Sequence, residues 1–539
     1  MNKYFFINKI KSILLAVVVI ASALSVSGCN DDYDDGSDHS FTYTLYQNPQ
    51  NLDPQLATDK SSLMIIENMF LGLMTHNSEG NIDYGVASDY SISEDGLKYT
   101  FTLKDNCFWY SADGTKSVVT AHDFVYAFKR IFDPVTRSPY KEKFSFLQNA
   151  QAIIDGKEEY SKLGVYAVNN TELVFFLDRP HSEFLYLLTT APAMPCNKNF
   201  FENTKARYGL DDESVISNGP FYMTQWSYDP YGSDNLIYMK RNSVNSESEK
   251  VYPYMLTFLI DRDNKAASEN FNASLSECLV SENRDKKSII DMNHSEEYEF
   301  SSVGMIFSNK YNISPELKKA LSLNIDRESL KKIAPSDFNV AYGIVPHSLH
   351  VGDKEYRKNV PDNELPFYEY SYSIQNDEIK KFNSMSQDKM KILVREKSDY
   401  GLISKIAADW QERLNIYIGV EYADEDEFLS RLKSGDYFMA LIELTTVDNS
   451  IYYYMKNIVA EIDMEKSVSE KVDAKLDEIL SGNDVCSTVF DAENTLVSNG
   501  IYVPVFYRKL YLEYKKDMSD LIFDPFSRKI NFRYSKYFD

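Results

Sequence analysis

The sequence predicts an α/β protein built as two or more lobes, and three observations carry that prediction. From residue 41 onward strand-like and helix-like patterns alternate, with no internal repeats and no low-complexity linkers. Between 391 and 444 the alternation spells a βαβαβ unit. The chain has 539 residues, well beyond the roughly 250 to 300 at which a single hydrophobic core stops growing.

The N-terminus is read separately from the folded body. Lys3, Lys9 and Lys11 form a basic segment, Ile13 to Val26 an apolar run, and Val26-Ser27-Gly28-Cys29 closes it with small residues. The run is shorter than the roughly 20 residues that span a bilayer, so it reads as an export signal rather than a membrane anchor. The V-S-G-C tetrad resembles the bacterial lipobox, which implies that Cys29 is lipid-modified and becomes the mature N-terminus on the outer face of the cell membrane. Residues 29–40 follow as an acidic tether: NDDYDDGSDHS holds five aspartates and almost nothing apolar.

In the folded body Tyr99, Phe101 and Leu103 alternate with polar residues as a half-buried strand. Thr120-Ala121-His122-Asp123 reads as a capping box opening a helix whose Phe124, Phe128 and Ile131 share a face, and Asp133-Pro134 ends it. Ser314-Pro315-Glu316 starts another helix, with proline at its first position and Leu317, Ala320 and Leu321 inward. In the βαβαβ unit, Lys391 to Arg395 is the first strand, and Leu402, Ile406 and Trp410 mark a helix face. Ile416, Ile418 and Val420 form the second strand, Phe428, Leu429 and Leu432 lie on the second helix, and Tyr437 to Leu444 is the third strand. Ligands bind beyond the carboxyl ends of such parallel strands, which singles out Thr445 to Ser450.

The composition disfavours several functions. A formal net charge of −24 disfavours nucleic acid, and the leader carries three lysines and no acid, so the mature chain is more negative still. Apart from Cys29, the cysteines Cys107, Cys196, Cys278 and Cys486 are far apart and are expected as free thiols rather than a disulfide framework. No H-E-x-x-H, G-x-S-x-G, P-loop or G-x-G-x-x-G is present, and His347 and His350 follow Pro346 in a loop. No metal, cofactor or catalytic group is expected, and the chain reads as a binding protein rather than an enzyme. Forty tyrosines suit contact with peptides or sugars, although most rings are expected in packing.

Several separated segments resemble the extracytoplasmic oligopeptide-binding proteins of ABC importers, solute-binding protein family 5. They are Leu52-Asp53-Pro54; Phe70-Leu71-Gly72-Leu73; Val119-Thr120-Ala121-His122-Asp123-Phe124-Val125-Tyr126-Ala127-Phe128-Lys129-Arg130 with Trp109 upstream; Asp133-Pro134; Ser138-Pro139-Tyr140; Ser217-Asn218-Gly219-Pro220-Phe221; Ile325-Asp326-Arg327; and Val503-Pro504-Val505-Phe506-Tyr507. The chain departs from the family pattern at Leu71-Gly72-Leu73, at Ala87-Ser88-Asp89-Tyr90, and at Leu444-Thr445-Thr446-Val447-Asp448, where W-x-x-D-Y is usual.

The resemblance implies an α/β, two-lobe periplasmic-binding-protein-like fold with an extra subdomain in the first lobe. Residues 41–262 and 495–539 would form that lobe, with the insertion at about 66–194, and 263–494 the second. It implies a lipid-anchored, monomeric receptor that binds oligopeptides and delivers them to an ABC permease, without a cofactor. An oligosaccharide, a metal chelate or a peptide-sensing role are the alternatives. Asp448, with Glu443 as the alternative, is expected to hold the peptide's α-ammonium, and Tyr140 and Tyr507 are candidate ligand contacts.

Overall fold

The computed structural model describes residues 39–537 except 233, 246, 262–263, 283–292, 312, 352–353, 362–363, 366–379, 381 and 385–389. The leader, Cys29 and nearly all of the acidic tether lie outside the described residues. Among these residues no helix is long and apolar enough to cross a membrane.

One 11-stranded sheet runs through the whole molecule. Its strands lie in the order Phe221–Ser227, Leu236–Arg241, Met255–Ile260, Ser40–Leu45, Cys278–Ser281, Val503–Lys515, Asn293–Phe307, Met439–Thr445, Lys391–Val394 and Gly419–Tyr422, with Phe338–Val340 added beside Val503–Lys515. The two central strands, of 13 and 15 residues, are antiparallel partners and extend through both halves of the sheet. The C-terminal part of Val503–Lys515 pairs with Cys278–Ser281, and the C-terminal part of Asn293–Phe307 pairs with Met439–Thr445. The register shifts between Glu299 and Ser301, a bulge that bends the sheet where the halves meet.

The cores divide at the same place. Phe300, Leu510 and Leu512 belong to one large cluster with the strand Ser40–Leu45 and the insertion, whereas Val303, Met305, Val503 and Phe506 belong to another. The chain therefore crosses between halves along Asn293–Phe307 and Val503–Lys515, rather than at 262/263 and 494/495. Residues 264–281 stay with the first half, because Cys278–Ser281 pairs in parallel with Ser40–Leu45 and Ala267 and Phe271 pack beneath Leu279.

In the second half the βαβαβ unit forms as read. Lys391–Val394 pairs in parallel with both Gly419–Tyr422 and Met439–Thr445. Alternation along Met439–Thr445 sends Met439 and Leu441 to one face, against Trp410 and Ile406, and Ala440, Ile442 and Leu444 to the other, against helices 451–461, 466–480 and 485–498. Helices thus cover both faces. Two details differ from the sequence reading. Ile416 and Ile418 are buried in the lead-in after left-handed Asn415, and pairing begins only at Gly419. Leu429 is 48% exposed, because its neighbour Phe428 takes the inward face of helix Glu425–Ser434 and the next residue on a helix turns away.

The insertion carries a four-stranded antiparallel sheet, Ala87–Ile92, Lys98–Leu103, Glu172–Phe176 and Val165–Ala167 in that order. Helix Ala121–Phe132 packs on it, opened by the Thr120/Asp123 capping box and burying Phe124, Phe128 and Ile131. Cys107, Cys196 and Cys278 are buried, and Cys486 is half-buried.

Candidate functional site at the seam between the halves

The loop beyond the third parallel strand reaches out of the second half and docks on the insertion. Strand Met439–Thr445 ends, and Ser450 caps helix Ile451–Glu461 by accepting from Tyr453 N at 3.1 Å. Within this turn Asp448 Oδ1 accepts a charged hydrogen bond from Lys143 Nζ at 2.7 Å. Asn449 N donates to the Tyr186 hydroxyl at 2.8 Å, Ser450 Oγ donates to Glu183, and the Tyr453 hydroxyl donates to the carbonyl of Lys143 at 2.8 Å. Contacts from Asp448, Asn449, Ser450, Tyr452 and Tyr453 therefore land on two segments of the insertion, 143 and 183–186. A further contact runs from Ser182 N to Leu480 O at 2.9 Å.

Beside this contact lies a cavity of about 430 Å³ with walls from all three bodies: Asp524 and Lys529 of the first half, His76 and Tyr186 of the insertion, and His350 and Asn449 of the second half. Its lining is chemically mixed. Glu67 pairs with Lys529 at 3.0 Å. Burial pushes His76 down, so its imidazole is neutral at pH 7. Asp524 accepts from Phe526 N at 3.0 Å and Ser527 Oγ at 2.5 Å. Glu183 also lines the cavity, and burial pushes its carboxyl up to about 7, with the nearby Asp448 charge adding to the rise and the Ser450 and Tyr452 donors opposing it.

A carboxyl raised in the assembled seam favours that seam when protonated. Its contribution is fully present below about pH 4.5, its ordinary value, and is lost as pH rises through about 7. The seam should lose on the order of 1 to 3 kcal/mol across that window, discounted for partial solvent access. Thermal melts of wild type and Glu183→Gln at about pH 5 and 8 check this: the variant should show the shallower pH dependence, and parallel curves would refute it.

The residues singled out from sequence fall in two places. Asp448 and Tyr140 come together: Tyr140 donates its hydroxyl to the carbonyl of Ala57, and burial, with the Asp448 charge next in size, pushes its phenol up to about 12. Glu443 and Tyr507 lie instead at the crossover. Glu443 accepts from Ser301 Oγ at 2.5 Å and Arg508 Nε at 3.2 Å, with Arg395 at 3.7 Å. Tyr507 is fully enclosed and donates to the carbonyl of Gly343 at 2.9 Å, so its ring is packing. Lys143, Glu183, Tyr186 and Tyr453 were not foreseen. Only Lys143 had a local cue, three residues after Ser138-Pro139-Tyr140. Among the described residues no group of three histidines, cysteines or carboxylates could hold a metal ion.

Comparison with known proteins places these features in a family. The family model described as bacterial extracellular solute-binding proteins, family 5 middle, matches residues 81–465. The chain is 24% identical over 442 residues to the oligopeptide-binding protein OppA of Bacillus subtilis, covering 79% of each chain. It is 38% identical over 179 residues to the periplasmic murein peptide-binding protein MppA of Escherichia coli, covering 33% of this chain and 32% of that one. Among solved structures, MppA in its unliganded open form superposes with a TM-score of 0.72 at 20% identity, over 92% of this chain and 97% of that one. OppA of Haemophilus influenzae in complex with the peptide RPPGFSPFR gives a TM-score of 0.65 at 19% identity, over 94% and 100%.

Proposed function

Because the chain belongs to the bacterial extracellular solute-binding proteins of family 5, we propose that it is a lipid-anchored receptor that captures oligopeptides outside the cell and delivers them to an ABC permease. The observation that carries the reading is the cavity at the seam, walled by both halves and the insertion. A ligand seated there touches every body at once, so it binds one relative arrangement of the halves better than others and shifts the population toward it. That is the property a permease can read. Carboxylates, an ammonium, an amide and tyrosine hydroxyls in one cavity suit a zwitterionic chain with its own donors and acceptors.

In this reading no bond is made or broken. Asp448, at the carboxyl end of a parallel strand, receives the peptide's α-ammonium, and Tyr140 stands beside it. Glu443, already engaged by Arg508, is the alternative acceptor. Cys29 carries the lipid, residues 30–40 form the tether, and the protein acts as a monomer. One preparation tests anchor and ligand together. Cys29→Ser should appear in the soluble extracytoplasmic fraction, and mass spectrometry of the protein purified from it should find bound peptides. A variant that stays acylated and membrane-bound would refute the anchor, and a bound sugar or chelate in place of peptide would refute the ligand class.

A further inference from the structure

We infer that Lys143 is a resident competitor for the ligand's ammonium, and so sets how strongly the protein discriminates between peptides with free and blocked N-termini. The inference rests on the peptide-receptor reading, and goes beyond it by assigning a role to a residue of the insertion.

The Lys143–Asp448 pair differs from the ordinary ion pairs of the surface. Its side chains are only 11% and 16% exposed, and it joins residues 305 apart in sequence across the seam. Both ends are held independently. The carbonyl of Lys143 accepts from Tyr453, and Asp448 N donates to Thr446 Oγ1 at 3.2 Å. Lys143 is the one cation within ion-pair distance of Asp448 among the described residues. The pair also adjoins the cavity, because the next residue, Asn449, lines it and is bonded to Tyr186, which lines it too.

The ε-ammonium of lysine and the α-ammonium of a peptide are the same chemical group, a compact cation with three donors. A peptide whose amine enters Asp448 must therefore send Lys143 out to solvent. The carboxylate exchanges one ammonium for another, and the net gain is much smaller than that of pairing a vacant carboxylate. A peptide with an acetylated N-terminus leaves the Lys143 pair intact and forgoes the exchange. The wild-type protein should accordingly distinguish the two forms only weakly.

Calorimetric titration with alanine di- to pentapeptides and their N-acetyl counterparts tests this on wild type, Lys143→Met and Lys143→Arg. Lys143→Met should bind the free-amine peptides roughly tenfold tighter, the scale of one half-buried ion pair gained, and leave the acetylated peptides unchanged. Lys143→Arg keeps the competing charge and should behave as wild type, which separates competition from any general loosening of the seam. If Lys143→Met changes neither affinity, or changes both forms alike, the inference fails while the peptide reading stands. If none of the three proteins binds any of these peptides, the peptide reading fails and takes the inference with it.

Discussion

Replacing Arg357 by methionine should destabilise the protein by about 3 to 5 kcal/mol, the scale for leaving a buried carboxylate without its cation. Arg357 and Glu493 are 1% and 0% exposed in their side chains. The guanidinium forks onto the carboxylate, with Nη1 donating to Oε2 at 3.0 Å and Nη2 to Oε1, while Nε donates to the carbonyl of Val345 at 2.9 Å. Glu493 accepts in addition from Ile344 N at 2.6 Å, Val345 N at 3.1 Å and the Tyr356 hydroxyl at 3.2 Å. One helix residue thereby pins Ile344 and Val345 together with Tyr356 and Arg357. Any side chain on Gly343 would collide with both charged groups, which is why glycine stands there. The chain between Val345 and Tyr356 includes His350, whose N–H donates to Asn449 Oδ1 at 3.1 Å at the edge of the cavity. The denaturant midpoint measures the effect. Adding Glu493→Gln should recover a large part of the loss, since it removes the orphaned charge and keeps an acceptor for the two backbone donors. A loss below about 1 kcal/mol in the single variant would show that the pair is dispensable.

Local patterns were legible in the sequence wherever one face of one element decides the outcome. The capping box at Thr120 and the inward Phe124, Phe128 and Ile131 required no partner to be known. The βαβαβ unit was legible for the same reason, and its carboxyl end at 445–450 proved to be the loop that meets the insertion. The boundary between halves was harder to read. Residues 264–281 have no composition of their own that says which half they join; the parallel pairing of Tyr43 with Cys278 decides it. Individual contacts at the site were harder still. Asp448 could be named from its strand end, but its partner Lys143 is 305 residues away, and nothing in the intervening chain encodes the meeting. Tyr507 shows the opposite limit: a motif position gives a residue's identity and says nothing of how completely its neighbours enclose it.

Arg130→Met should likewise cost about 3 to 5 kcal/mol, and it should reach the site as well as the fold. Two segments noticed separately in the sequence, Leu52-Asp53-Pro54 and the helix ending in Lys129-Arg130, turn out to be joined by this residue. Arg130 Nη1 donates to Asp53 Oδ1 at 3.1 Å and to Gln55 Oε1 at 2.7 Å, Nη2 donates to Asp53 Oδ2, and the guanidinium lies 4.0 Å from the centre of the Phe201 ring. The pair is 6% and 2% exposed, so removing the cation leaves the Asp53 carboxylate buried with the Gln55 N–H as a donor but no counter-charge. The loop it fixes is the platform for the seam. Gln55 Nε2 donates to the carbonyl of Met194 at 2.9 Å, Ser138 Oγ donates to the carbonyl of Gln55 at 2.7 Å, and Tyr140 donates to the carbonyl of Ala57. Three residues beyond Tyr140 stands Lys143. Loss of the fork should therefore displace Ser138 and Tyr140 at the insertion's edge of the seam, lowering the denaturant midpoint and weakening together with it the binding of N-acetylated peptides, whose affinity does not depend on competition with Lys143. Arg130→Lys discriminates charge from geometry: an ammonium restores the counter-charge but cannot serve Asp53 and Gln55 as a planar fork. It should recover part of the stability and less of the binding. If Arg130→Met binds these peptides as wild type does while losing stability, the platform role is wrong and the pair serves the fold alone.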